Sequence, residues 1–98
     1  MCNNKTVNAR AQILVSGVVQ GVGFRFFVKR LAIQHNLCGW VKNLATGDVE
    51  IEVEGDKGLI LDFMRQLGIG PRFGHVAKIT VNWKDYKGEY KNFKIKFW

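Results

Sequence analysis

Residues 16–25 form a glycine-rich turn that has the features of an anion-binding site. The turn follows an alternating apolar segment, precedes a helical pattern, and carries glycines at positions 17, 21 and 23. Glycine permits positive φ angles and a close approach of the backbone to a ligand. The start of a helix adds free N–H groups and the positive end of the helix dipole. We therefore expect this turn to hold a phosphate.

Arg25 is the side chain of this turn that is best suited to phosphate. It lies in the first turn of the predicted helix, where the helix dipole disfavours a cation, and a departure of this kind indicates function. Its guanidinium offers planar, bidentate donors that match phosphate oxygens. The turn lacks the third glycine of the dinucleotide fingerprint and the Gly-Lys-Ser/Thr of a P-loop, which excludes both nucleotide-binding loops. A structural turn with a surface arginine is the alternative.

Asn43 is the second candidate, in the segment 39–44. This segment is predicted to be a strand of the same sheet as the strand before the turn, so we expect Asn43 to lie near the start of the first helix. A side-chain amide both donates and accepts hydrogen bonds, and it can therefore hold a water in a chosen direction. The alternative for an Asn beside a hairpin is a simple turn residue.

The other reactive side chains point less clearly to chemistry. His35 and His75 are isolated and have no metal-ligand spacing. Cys38 has no base beside it and is expected in the core. The glutamates at 50, 52 and 54 share one face of a predicted strand, and we expect that face to be solvated. The sequence therefore predicts no metal and no cofactor.

Hydrophobic spacing predicts the elements that position these residues. Residues 10–16 and 49–54 alternate as strands, and apolar residues at helical spacing predict a helix over about 24–35. A strand over 37–44 precedes a hairpin turn at 45–48. A second helix follows Asp56 and ends at 68–71, and strands at 76–83 and 93–97 flank a polar loop.

The order β-α-β-β-α-β plus a final strand predicts an α+β fold of the ferredoxin-like type. Two helices would pack on one face of a mainly antiparallel sheet. With 98 residues, the chain is expected to be a single domain, residues 1–98, with a flexible N-terminal segment at 1–8. That segment is polar and lacks the apolar stretch of a signal peptide, so a cytoplasmic location is expected.

Positive charge is concentrated in the half that carries the turn. The net charge is +7, yet the first acidic residue is Asp48. Such a field attracts small anions or nucleic acid. Residues 23–28 resemble part of an RNA-recognition motif, whose aromatic residues must lie on a strand. Because these residues have helical spacing and strand 49–54 is acidic, RNA binding is disfavoured.

The two candidate segments resemble the acylphosphatase family. The resemblance rests on residues 17–25 (GVVQGVGFR), 37–44 (LCGWVKNL) and 47–50 (GDVE), and it covers nearly the whole chain. It implies the ferredoxin-like fold and the metal-free hydrolysis of the carboxyl–phosphate bond in acyl phosphates. The chain departs from the commonest family pattern at Phe26, Phe27, Lys42 and the segment 70–76. None of these departures falls on the key positions.

By the same resemblance, Arg25 and Asn43 are the catalytic residues. Asn43 would orient the attacking water. Arg25 would bind the phosphate with help from backbone amides, which are those of Gln20, Gly21, Val22, Gly23, Phe24 and Arg25 itself. The partners expected are a small acyl phosphate and inorganic phosphate, as product and inhibitor, with no nucleic acid or membrane, and the chain is expected to be a monomer. A catalytically silent phosphate-binding module and a nucleic-acid binder are the rival functions.

Overall fold

The computed structural model describes residues 7–97, and in this range the elements follow the predicted order. They are β1 (Asn8–Val18), α1 (Phe24–Gln34), β2 (Cys38–Asn43), β3 (Val49–Asp56), α2 (Lys57–Ile69), β4 (His75–Lys84) and β5 (Phe93–Lys96). Of the segment 1–8 predicted to be flexible, residues 1–6 lie outside the described part. Its last residue, Asn8, begins β1 two positions before the predicted start.

The strands form one sheet in the order β4-β1-β3-β2-β5. The pairs are antiparallel except for β5, which runs parallel to β2 and occupies one edge. The predicted ferredoxin-like α+β fold is confirmed. The alternation of apolar and polar residues in the last strand does not predict its pairing. The same alternation fits a parallel or an antiparallel strand at either edge of the sheet.

The core lies between the two helices and one face of the sheet. Alternate residues of the central strands, such as Ile13 and Ile51, are fully buried there, as is Phe63 of α2. Burial of one such side chain contributes about 1.5–3 kcal/mol. The same alternation places Asn43 on the helix side of β2, two residues after the buried Val41. The core packing therefore determines the face on which the candidate site lies.

The opposite face of the sheet is not the solvated surface that we expected from the glutamates. Glu54 is 1% exposed and Glu52 is 3% exposed, and only Glu50 is partly open to solvent. Residues 85–92, which we call the strap, cross this face and cover it. Arg10 binds Glu52 on β3 and also Glu89 on the strap. The hydrogen bond to Glu52 is the main cause of the raised pKa of Arg10.

Cys38 is buried, as expected, and it is disulfide-bonded in the structure. The other cysteine of the sequence, Cys2, lies outside the described residues. Neither helix among residues 7–97 is long and apolar enough to cross a bilayer.

His35, at the C-terminal end of α1, connects the two helices. Its Nδ1 lies 2.8 Å from the carbonyl oxygen of Leu31, and its Nε2 lies 2.7 Å from Oδ2 of Asp62 on α2. Arg65 binds the other carboxylate oxygen of Asp62. The hydrogen bond from Arg65, followed by that from His35, lowers the pKa of the Asp62 carboxyl.

Asp62→Asn should destabilise the fold in a pH-dependent way. A carboxyl with a lowered folded-state pKa stabilises the fold above its ordinary pKa of 3.8, and this contribution is lost as pH falls through the lowered value. Urea unfolding between about pH 2 and pH 5.5 should show a lower midpoint for the variant only at the upper end. Asp85→Asn, at an exposed position, is the control. An equal loss at every pH would contradict the ionic origin of the effect.

Candidate active site

The turn after β1 is shaped by a close approach between two strands. The pairing of β1 with β4 shifts register between Ser16 and Gly17. At Gly17, where φ is +128°, an added Cβ would lie 2.2 Å from the carbonyl oxygen of His75, so only glycine fits. Val19 is then buried and anchors the next segment in the core. The chain thereby leaves the sheet and turns towards the start of α1.

Residues 20–25, which we call the cradle, present free backbone amides. Gly21 and Gly23 have φ angles of +74° and +75°, a left-handed conformation that favours glycine. Gly23 caps α1 without a side-chain hydrogen bond, and the first turn contains no acid. Within residues 7–97, the N–H groups of residues 20–26 donate to no backbone carbonyl. These donors and the helix dipole together suit a bound anion.

Arg25 is held beside the cradle by neutral groups. Its Nη1 donates to the carbonyl oxygen of Lys96 at 3.1 Å, and its Cζ lies 4.7 Å from the centre of the Phe97 ring. No carboxylate in the described part of the chain forms an ion pair with it. These contacts orient the guanidinium and leave its charge available to an anionic ligand.

Asn43 ends β2 on the same side of the sheet as α1. Its Oδ1 is buried and has no hydrogen-bond partner among residues 7–97. In the parallel β2–β5 ladder, Lys42 is paired with Lys96, whose carbonyl oxygen accepts the hydrogen bond from Arg25. Asn43 follows Lys42 and therefore lies one residue beyond this pair. The fold therefore brings Asn43 and Arg25 to the same end of β5.

Gln20 connects the cradle to the hairpin that carries Asn43. Its Nε2 donates to the carbonyl oxygens of Leu44 and Asp48, each at 2.8 Å. The sequence analysis assigned only the backbone amide of Gln20 and missed this side-chain contact. The sequence could not predict it, because the partner carbonyls are 24 and 28 residues away from Gln20 along the chain.

The arrangement suits binding of a tetrahedral anion and direction of a water towards it. Free amides and an uncompensated guanidinium would bind the oxygens of the anion, and the Asn43 acceptor would orient the water. Among residues 7–97, no three His, Cys, Asp or Glu side chains are grouped as metal ligands.

Comparison with known proteins identifies the family. The acylphosphatase family model matches residues 11–95. The chain belongs to the acylphosphatase family. Members of this family hydrolyse the carboxyl–phosphate bond of acyl phosphates, so this acylphosphatase chain releases a carboxylate and inorganic phosphate. Family membership therefore supports the enzyme over its two rival functions.

Individual acylphosphatases are similar over nearly the full length. The chain is 44% identical to the acylphosphatase of Chlorobaculum tepidum over 86 residues, which cover 88% of this chain and 94% of the relative. The acylphosphatase of Dehalococcoides mccartyi is also 44% identical, over 85 residues that cover 86% and 93% of the two chains. The crystal structure of the Bacillus subtilis acylphosphatase superposes with a TM-score of 0.87 at 38% identity, covering 90% of this chain and 98% of that one. The predicted family is confirmed.

Gln20→Leu should impair turnover while leaving the protein folded. The change removes both hydrogen bonds to the hairpin, and displacement of a catalytic group by about 1 Å can cost on the order of 10²-fold in rate. We expect kcat/KM for benzoyl phosphate to fall roughly 10–100-fold. Gln34→Leu, at an exposed position near the end of α1, is the matched control and should change little. Wild-type kinetics for Gln20→Leu would show that the connection does not serve catalysis.

Proposed function

We propose that the cradle binds the phosphate of the acyl phosphate, with Arg25 as the phosphate-binding side chain and Asn43 as the residue that orients the attacking water. The observation that carries this proposal is the guanidinium of Arg25, which is fixed by neutral partners beside free amides. An anion with two or more charged oxygens satisfies both sets of donors at once. No other group of described residues combines a half-buried, unpaired arginine with a row of unpaired amides.

In the proposed reaction, the water oxygen attacks phosphorus on the side opposite the acyl oxygen. The P–O bond to the acyl group breaks, and its electron pair leaves with the carboxylate. Phosphoryl transfer depends mostly on positioning and on electrostatic stabilisation of the three equatorial oxygens. Arg25 and the cradle amides supply that stabilisation, because their donors are already oriented before the reaction begins.

Asn43 is assigned to the water because of its unpaired acceptor. Oδ1 accepts a hydrogen from the water and so directs a lone pair of the water oxygen towards phosphorus. A buried carbonyl without a partner is costly, and a bound water satisfies it. Gln20 would maintain the distance between the water and the phosphate, since it joins the hairpin to the cradle.

The proposed mechanism uses no metal and no general acid. The leaving group is a carboxylate whose conjugate acid has a pKa of about 4, so it departs without protonation. The proton of the water passes to a phosphate oxygen of the substrate. The cradle contains no nucleophilic side chain, so water attacks phosphorus directly and no covalent intermediate forms.

Substitution of Arg25 and Asn43 should separate binding from turnover. Arg25→Lys keeps the charge but loses the bidentate donors, so both kcat/KM and the affinity for inorganic phosphate should fall, kcat/KM by about 10²–10³. Asn43→Ala should reduce kcat by a similar factor of about 10²–10³ and leave phosphate inhibition nearly unchanged. The assay is hydrolysis of benzoyl phosphate with inorganic phosphate as a competing inhibitor.

Two exposed positions of the same residue types provide matched controls. Arg30→Lys on α1 and Asn82→Ala on β4 should retain wild-type kinetics. An Asn43→Ala variant with full turnover would refute the role in orienting water. Unchanged phosphate inhibition in Arg25→Lys would refute the role in binding.

Activity should survive chelation and vary little with pH. The backbone amides do not titrate, and the proposed step needs no side chain to gain or lose a proton between about pH 5 and pH 8. We expect kcat to be unchanged by excess EDTA and nearly flat between about pH 5 and pH 8. A kinetic pKa in this range that disappears on substitution of one side chain would contradict the mechanism.

We also propose that the chain acts as a monomer in the cytoplasm on a small acyl phosphate, with no nucleic-acid partner. Its exposed large apolar side chains are distributed over both helices, β1, β4 and the loops, which is typical of a monomer. Light scattering on the purified protein should give the monomer mass of 11.2 kDa.

A further inference from the structure

Glu54 is a buried carboxylate whose described contacts are all to the strap. It lies on β3, on the face of the sheet opposite the helices, and is 1% exposed. Its Oε2 accepts from the N–H groups of Lys87 (2.8 Å) and Gly88 (3.0 Å), and its Oε1 accepts from those of Glu89 (3.1 Å) and Tyr90 (3.3 Å). No cation in the described part of the chain forms an ion pair with it.

The strap is built to receive this carboxylate. Successive backbone N–H groups that point into one concavity bind anions, and Gly88 provides the left-handed step, with φ +64°. Tyr90 adds a second attachment, because its hydroxyl receives hydrogen bonds from Arg10 and from Trp40 of β2. A charge buried with four donors is satisfied only while all of these donors are in place.

The strap leads directly into β5, which by itself is a weak element. β5 has four residues and lies at the sheet edge, and within the described part of the chain it pairs only with β2, in parallel. The carbonyl of Asn92, at the end of the strap, accepts from the N–H of Gly39 at 2.9 Å and starts this pairing. The position of β5 along β2 therefore depends on where the strap is held.

The far end of β5 holds Arg25. The carbonyl of Lys96 accepts from Nη1 of Arg25, and the ring of Phe97 packs on the guanidinium. We propose that Glu54 is a positioning residue for Arg25, acting from the opposite face of the sheet through the strap and β5. The expected effect of Glu54 on catalysis rests on the proposed role of Arg25. The expected effect of Glu54 on the placement of the Arg25 side chain does not.

The test compares Glu54→Gln with Glu50→Gln. The first change keeps the size of the side chain but places an amide donor against two of the strap N–H groups. The second change removes the charge of a carboxylate on the same strand and the same face. That carboxylate contacts Gln12 and Lys42 and does not contact the strap. For folded Glu54→Gln, we expect about a tenfold loss in kcat/KM and in affinity for inorganic phosphate, with Glu50→Gln unchanged. Wild-type values for folded Glu54→Gln would overturn the proposal.

Two further readouts separate positioning from a general structural role. In an Arg25→Lys background, the loss caused by Glu54→Gln should disappear, because coupled residues are not additive; additive losses would overturn the proposal. The Nε–Hε NMR signal of Arg25 should shift or broaden in Glu54→Gln and not in Glu50→Gln. An unmoved signal would also overturn it. If Arg25→Lys is fully active, the proposed function fails, whereas the NMR signal still decides the placement of Arg25.

A milder variant guards against a protein that does not fold. Gly88→Ala imposes strain at φ +64° and places a Cβ 3.0 Å from the Tyr86 hydroxyl oxygen, so it disturbs the strap without burying an unpaired donor. If Glu54→Gln does not fold, Gly88→Ala should show the same direction of change in phosphate affinity and in the Arg25 signal. A folded Gly88→Ala protein with neither change would overturn the proposal.

Discussion

The candidate site depends on an arginine that is fixed without being neutralised. A carboxylate would orient the Arg25 guanidinium equally well, but it would compete with a phosphate for the same donors. The chain uses a backbone carbonyl and an aromatic ring instead, and both are neutral. The guanidinium is thus immobilised while its full charge stays available to a ligand. It can therefore stabilise the charge of a bound anion, because no internal salt bridge uses that charge.

This requirement accounts for the distribution of acidic residues. The acid-free first half of the chain builds the cradle and α1, and the glutamates of β3 project from the other face of the sheet. There Glu52 binds Arg10 and Lys84, Glu54 accepts from the N–H groups of the strap, and Glu50 accepts from Gln12. The sheet therefore separates the side on which we propose that an anion binds from the face where the protein's own carboxylates are bound.

The sequence predicted what depends on local pattern and missed what depends on distant contacts. The order of the elements and the glycine turn follow from periodicity and from turn chemistry, and the shared sheet led to the expectation that Asn43 lies near the start of the first helix. The burial of Glu52 and Glu54 does not, because an alternating strand has the same pattern whether its polar face meets water or a loop 35 residues away. The side-chain contacts of Gln20 and the parallel pairing of β5 were missed for the same reason.

The contact between Arg25 and Lys96 also has a consequence for folding. It joins residues that are 71 positions apart, whereas the cradle consists of neighbours in sequence. Loop-closure entropy opposes such a distant contact until the intervening strands have formed. On a growing polypeptide the glycine turn can therefore form early, but its arginine acquires a fixed orientation only after β5 has been synthesised and has paired. The candidate site therefore reaches its final geometry only when the sheet is complete.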